Sequence, residues 1–302
     1  MKKGWIHIIA ICSILVLGGI LLYKIYFQST QDVPAFISGT VVEETKEADW
    51  KDTAVIAHAG GMVDDKAYTN CKDAVLQNYE KGFRVFELDL IVTSDQKIVA
   101  RHGWDSTKAS EMQEGVEINQ VLDEETFLNI PIYGTYTPLS FEGICRLMEE
   151  YPDIWIVTDT KYTEEPVVRE QFQIMIDTAK EIGLEHVLDR LIIQIYNEEM
   201  YDVIYDIYPF DKWIYTLYKF WQGDVETFEE CAKFAIEKDI DAITMWNYLV
   251  SVEVMDKAHE YGIPIYAHTE NNVENARVFM SLGLKGLYTD SITPEMIRSV
   301  ME

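Results

Sequence analysis

Glu87 and Asp89 stand two residues apart in the run Val85-Phe86-Glu87-Leu88-Asp89-Leu90, whose other members are apolar. Alternate side chains of an extended strand share a face, so the two carboxylates point one way and Phe86, Leu88 and Leu90 the other. Like charges within about 5 Å in a half-dry site are costly unless a cation joins them or one is protonated. A third carboxylate, Asp159, ends the run Ile154-Trp155-Ile156-Val157-Thr158, and an all-oxygen set of three suits a hard divalent ion, Mg2+ or Ca2+. A surface-exposed strand end, or a salt bridge to Arg84 or Lys161, would account for the same residues without a metal. Two histidines have matching settings: His58 follows Ala54-Val55-Ile56-Ala57 and precedes Gly60-Gly61, and His102 follows Lys97-Ile98-Val99-Ala100-Arg101 and precedes Gly103. Glycines there let the backbone turn tightly and approach a ligand closely. Two imidazoles beside a metal-held phosphate provide a base for the attacking hydroxyl and an acid for the leaving alkoxide, which is what phosphodiester cleavage needs. A lone histidine is more often structural, and it is the pairing at matching strand ends that singles these two out. His186 and His259 fall in helical or loop segments, while His268 ends a strand and is open to either pocket lining or packing.

Such groups need a frame. Eight strand-like runs follow residue 53, at 54–57, 85–90, 154–158, 191–195, 213–217, 242–245, 263–267 and 286–289. Helical stretches fall between them at about 70–81, 139–150, 165–182, 197–206, 225–238, 250–261 and 272–282, and an eighth is expected from Pro294 to Val300 with Thr293 as its cap. Gly82, Gly183, Gly262 and Gly283 stand where helices should stop. The fold class is therefore α/β, a closed (β/α)8 TIM barrel, in which chemistry belongs at the C-terminal ends of the strands. Lys161, Gln194, Tyr218, Trp246, Asn247, His268 and Asp290 all fall near such ends. One long connection, about 91–137, interrupts the rhythm; its first part reads as an extra strand returning after Ser94-Asp95-Gln96, and the rest, with Glu111, Glu114, Glu117, Asp123, Glu124 and Glu125, as an acidic lid or rim.

The chain of 302 residues carries 52 acidic and 25 basic side chains, a formal charge of -27. Residues 1–31 hold three lysines and no acid, so all the acidic excess lies beyond them. Nucleic acid is thereby excluded as a partner, since nothing offsets phosphate repulsion over a broad surface. A phosphate entering this protein must be met by a local cation or metal. Trp5 to Tyr23 is an almost wholly apolar run, preceded by Lys2 and Lys3 and followed by Lys24. Its length matches the hydrocarbon thickness, and the lysines place the N-terminus in the cytoplasm. The expected organisation is a cytoplasmic stub and transmembrane signal anchor at 1–28, a juxtamembrane linker at 29–53, and an extracytoplasmic barrel at 54–302, single-pass in the cell membrane. Cys12, Cys71, Cys145 and Cys231 show no CxxC or metal spacing, which argues against a disulfide framework or thiolate site.

The ordered set His58-Ala59-Gly60-Gly61, Tyr68-Thr69-Asn70, Gly82 to Asp89 and Val99 to His102 resembles the glycerophosphodiester phosphodiesterase family of the phospholipase C-like phosphodiesterase superfamily. Thr137 to Glu142, Val157-Thr158-Asp159-Thr160-Lys161 and Gly286 to Asp290 extend the resemblance over about residues 54–300. It implies a (β/α)8 barrel, His58 and His102 as acid and base, a divalent ion held by Glu87, Asp89 and Asp159, and a phosphate-facing Lys161. The chain departs from the family's pattern at several places. An arginine commonly follows the first histidine, where this chain has Ala59, and an aspartate the second, where it has Gly103. Tyr68 and Thr69 replace a proline and a glutamate, and Asp159 is shorter than the usual glutamate. Loss of the arginine removes a bidentate phosphate donor that lysine does not replace like for like.

The expectation that follows is a membrane-anchored, metal-dependent hydrolase of glycerophosphodiesters, acting on a small-molecule lipid headgroup or a polymeric glycerol phosphate of the envelope. Trp104, Tyr218, Trp246 and Tyr266 are candidates to flank the glycerol or the leaving group. A lyase stopping at a cyclic phosphate is an alternative that product identity would distinguish. A catalytically silent binding module on the same fold is another, favoured by Ala59 and Gly103 and opposed by the survival of both histidines and all three carboxylates.

Overall fold

A computed structural model describes residues 49–301. Its strands are β1 (Val55–Ala57), β2 (Val85–Val92), β3 (Ile98–Ala100), β4 (Trp155–Asp159), β5 (Leu191–Ile195), β6 (Trp213–Thr216), β7 (Ala242–Trp246), β8 (Ile265–His268) and β9 (Gly286–Thr289). The hydrogen-bonded order runs β1-β9-β8-β7-β6-β5-β4-β2, and β1 pairs again with β2, so eight strands close into a barrel. These eight pair in parallel, while β3 pairs antiparallel with β2 on the outside. A helix follows each barrel strand, as the alternation of strand-like and amphipathic segments predicts.

Strand parity sorts the side chains. Phe86, Leu88 and Leu90 of β2 face outward into a core shared with Ile144 and Met148 of the helix Phe141–Glu150 and Phe172, Met175 and Ile176 of the helix Glu165–Glu181. Truncating Phe86, which is fully buried, to alanine removes roughly 3 to 5 kcal/mol, the transfer term plus the cavity left behind. The inward residues Ile56, Val85, Val157, Ile192, Ile214, Ala242, Tyr266 and Tyr288 form an apolar floor at the N-terminal ends of the strands. Trp50, in the stretch expected to be a linker, closes that floor: it is buried, its ring centroid lies 6.2 Å from that of Tyr266, and Lys51 beside it pairs with Asp241 at 2.9 Å. Polar inward residues begin one step higher, with Glu87, Gln194, Thr216 and Thr244, all buried.

Helix ends follow local chemistry. Ser140, Asp224 and Thr293 accept from the backbone N–H groups of Gly143, Thr227 and Met296, and Gly262 ends Val252–Tyr261 at φ 68°, a conformation that costs glycine little. The connection after β2 returns as β3, in register Leu90↔Ala100 and Val92↔Ile98, and then folds two short helices, Thr107–Glu111 and Glu124–Leu128. It has its own core of Ile91, Val99, Trp104, Val116, Leu122 and Phe127. The buried Arg101 guanidinium knits it, donating to Ala109 O, Ser110 Oγ and Gln113 Oε1. Glu111, Glu114, Glu117 and Glu125 are exposed on its surface.

The expected membrane segment, residues 5–23, lies outside the described residues. Among the described residues, no helix is long and apolar enough to cross a membrane. For the described residues, the expectation of a barrel preceded by a transmembrane helix is corrected to the barrel alone. Membrane anchoring, a membrane partner, single-pass topology and an extracytoplasmic placement all depend on that segment, and no helix among the described residues supports them.

Candidate active site

Parallel pairing of β2 with β4 sets Asp89 directly beside Asp159, and Glu87 beside Val157. Because Glu87 and Asp89 share a face, three inward carboxylates converge: one oxygen from each lies within 4.8 Å of the others. All three are buried. Glu87 Oε2 accepts from the Ala59 backbone N–H at 2.7 Å, and Asp89 Oδ2 accepts from Asn70 Nδ2 at 2.7 Å while Asp89 N–H donates to Asn70 Oδ1 at 2.9 Å. Lys161 directs its ammonium at Asp89 Oδ1 and donates to Asp159 Oδ2. Glu87 Oε1 and Asp159 Oδ1 are left buried with no hydrogen-bond partner. An unsatisfied buried carboxylate oxygen is costly, and a hard divalent cation is what such oxygens bind. The donor set therefore fits a divalent-metal site.

The titration of the cluster reflects its crowding. Burial, reinforced by the charge of Asp89, pushes the Glu87 carboxyl up to about 8. Burial opposes ionisation of Asp89 too, but the Lys161 ammonium and the His102 imidazole outweigh it and hold that carboxyl at about 2. Burial raises Asp159, against the pull of Lys161. Lys161 itself is raised, because Asp159, Asp89 and Glu87 more than offset the cost of burying its charge.

His58 caps β1 at the mouth, its loop held by Asn78 Nδ2, which donates to Gly60 O at 3.0 Å and Met62 O at 3.1 Å. The His58 Nδ1 lies 2.8 Å from Asp290 Oδ1, and Asp290 Oδ2 accepts from Asn271 Nδ2 at 2.7 Å. Burial works against charge on His58, but the hydrogen bond to Asp290 and the nearby Glu87 raise its pKa above the ordinary value. His102 shifts the other way, lowered chiefly by burial. Tyr68 stands between them, its ring edge-on to His58 at 4.6 Å and to His102 at 6.1 Å. His268 packs against His58 at 4.8 Å and is kept neutral by burial, its pKa well below the ordinary value.

Of the aromatic candidates, Tyr218 and Trp246 stand at this mouth, their rings each 5.3 Å from His268 and 5.0 Å from each other. Two others stand elsewhere. Tyr266 belongs to the floor, where its hydroxyl donates to Thr53 O at 3.0 Å. Trp104 lies in the core of the connection after β2, and its indole N–H donates to Val92 O at 2.7 Å. Asp290, Asn70 and Tyr68 are functional candidates to which sequence reasoning gave no role. Asp290 directly follows β9 (Gly286–Thr289), at the strand ends where the barrel architecture concentrates reactive groups.

A closed (β/α)8 barrel with a carboxylate cluster and two imidazoles at its C-terminal mouth is the architecture of a metal-binding barrel hydrolase. The family model described as the glycerophosphoryl diester phosphodiesterase family matches residues 66–293, and the chain belongs to that family. It is a glycerophosphodiester phosphodiesterase-like hydrolase. Among solved structures it is similar to a phosphodiesterase from Oleispira antarctica in complex with the product sn-glycerol-3-phosphate, at 15% identity and a TM-score of 0.64, over 82% of this chain and 96% of that one. A glycerophosphodiester phosphodiesterase from Parabacteroides distasonis is 14% identical with a TM-score of 0.64, over 83% and 97% of the two chains. One from Thermotoga maritima is 21% identical with a TM-score of 0.54, over 82% and 97%. At these identities the likeness establishes the fold. No curated protein matches the chain in sequence.

Proposed function

We propose that this chain hydrolyses glycerophosphodiesters with Glu87, Asp89 and Asp159 holding Mg2+ or Ca2+ and with His58 and His102 as the proton-transfer pair. The observation that carries the reading is the convergence of three buried carboxylates, two of them with an unpartnered oxygen, in the same barrel mouth as both imidazoles. When bound, the ion would polarise the phosphoryl group and offset developing negative charge.

The residues divide the remaining work. Asp290 occupies His58 Nδ1, fixing the ring and leaving Nε2 for the substrate. The raised pKa of His58 favours the imidazolium, so His58 is the general acid that protonates the leaving alkoxide. The lowered pKa of His102 favours the neutral ring, so His102 is the general base that takes a proton from the attacking water. Lys161 bridges Asp89 and Asp159 with two of its N–H groups, offsetting their mutual repulsion, and its third faces the phosphoryl oxygens. Tyr218 and Trp246 flank the departing alcohol.

The test is a product assay on the full chain with a panel of glycerophosphodiesters, with and without chelator. Release of sn-glycerol 3-phosphate or the free alcohol, abolished by chelation and restored separately by Mg2+ and Ca2+, is the expected result. Absence of cleavage across the panel with either ion would overturn the assignment.

A further inference from the structure

The helix Thr107–Glu111 brings Lys108 from the connection after β2 to the barrel mouth. Its ammonium lies 3.3 Å from the centroid of the Tyr68 ring, the same ring that meets His58 and His102 edge-on. The cation is thus one aromatic ring away from both imidazoles. Other charges nearby are committed. Asp290 gives one oxygen to His58 and the other to Asn271, the Lys161 ammonium is taken up by Asp89 and Asp159, and Lys219 donates to Lys161 O. Lys108 makes no ion pair among the described residues, in a chain with twice as many acids as bases. An aromatic face holds a cation in place without neutralising it, so the ammonium keeps its capacity for an anion. Position 59, where the resemblance leads one to look for a guanidinium, offers only a methyl group, and its backbone N–H is already spent on Glu87.

We propose that Lys108, seated on Tyr68 above the two histidines, is a substrate-binding residue of this chain that contacts the phosphoryl oxygens and supplies the cationic donor that Ala59 lacks. This rests on the reading of the mouth as a phosphodiesterase site. The connection after β2 then has a function beyond covering the barrel: its core of Trp104, Val116, Leu122 and Phe127 and the Arg101 network hold the helix that delivers this cation. Tyr68 becomes the platform, which gives a physical role to one of the residues at which the chain departs from the family's pattern.

The experiment measures binding of sn-glycerol 3-phosphate to the full chain by calorimetry, beside steady-state kinetics on glycerophosphocholine. Four proteins are compared: wild type, Lys108→Ala, Lys108→Arg, and Lys285→Ala, which removes one positive charge beside the N-terminal end of β9. Lys108→Ala should weaken binding roughly tenfold, the loss of one charge-assisted hydrogen bond, and raise KM by a similar factor with kcat changed less than about threefold. Lys108→Arg should stay within about threefold of wild type, and Lys285→Ala should be unchanged. Unaltered binding in Lys108→Ala, an equal loss in Lys285→Ala, or no binding by the wild type would each overturn the proposal. If Lys108→Ala weakens binding while the wild type cleaves no diester, the anion site stands and the hydrolase reading fails.

Discussion

The Nδ1 of His58 and the Oδ1 of Asp290 lie 2.8 Å apart although the residues are 232 positions apart in the chain. Closure of β1 against β9, in register Ala57↔Thr289, is what creates the contact, since each residue immediately follows one of that pair. The imidazole is buried, which by itself disfavours its charge, and the carboxylate reverses the balance. A hydrogen-bonded aspartate thus fixes both the orientation and the protonation of the ring.

Asp290→Asn is expected to lower kcat by roughly 10²-fold or more, and to move the pH profile in one direction only. Activity should fall with rising pH as His58, raised in the folded enzyme, loses its proton, and fall with decreasing pH as the lowered His102 gains one. Removing the carboxylate lowers the pKa of His58, so the alkaline limb shifts to lower pH while the acid limb stays. A pH–rate profile on both proteins checks this, and an unmoved alkaline limb would remove His58 from the role of acid.

The part of the site written in local pattern was legible before the structure. Glu87 and Asp89 follow from period-two alternation, and Asp159 from its place at the end of an apolar run. The partners of Asp290 and Asn70, His58 and Asp89, were not, because those contacts depend on pairings across the barrel and on the β1 loop that no spacing encodes. Tyr266 shows how a small boundary shift moves a side chain: the apolar run spans 263–267, whereas β8 is Ile265–His268, so Tyr266 is its second residue and sits on the floor. Trp104 follows His102 by two, yet its indole turns inward to Val92 O, a preference set by the apolar cluster of the connection and invisible in the sequence neighbourhood. The barrel itself was readable because eight strand-like runs alternated with helical ones.

Metal binding should release protons. In the metal-free protein the Glu87 carboxyl titrates at about 8, and a ligating carboxylate must be ionised. Calorimetry in buffers of different ionisation enthalpy should therefore find about one proton released per ion near pH 6.5, declining above pH 8, and none in Glu87→Gln. The same shift has a sign for stability. A folded-state value raised above the ordinary 4.5 gives a contribution that is full below 4.5 and lost as pH rises through about 8. Chelated protein should lose Tm over that window, and the ion should restore it by mass action. Proton uptake on binding, or release independent of Glu87, would contradict the arrangement.

Lys161→Met separates metal holding from phosphate holding. The ammonium lies against Asp89 and Asp159, so an ion bound by the same carboxylates works against its charge. Removing it should tighten the Kd for Mg2+ or Ca2+ roughly tenfold while turnover falls, since the cation facing the phosphoryl oxygens is gone. Weaker metal binding in this variant would mean that Lys161 supports the ion rather than opposes it.

His58→Ala and His102→Ala are each expected to lose roughly 10²- to 10⁴-fold in kcat, with metal affinity measured by calorimetry nearly intact, because neither ring belongs to the carboxylate cluster. The double variant tests whether the two act together. Residues that complete one proton-transfer path do not contribute independently, so losing the second ring should cost far less than losing the first. Rescue supplies a further discriminator: added imidazole should restore part of the activity of a single variant if the missing ring is a proton carrier, and none if its role is to pack against Tyr68. Fully multiplicative losses without rescue would show that His58 and His102 serve separate structural ends, and the acid and base would have to be sought elsewhere in the mouth.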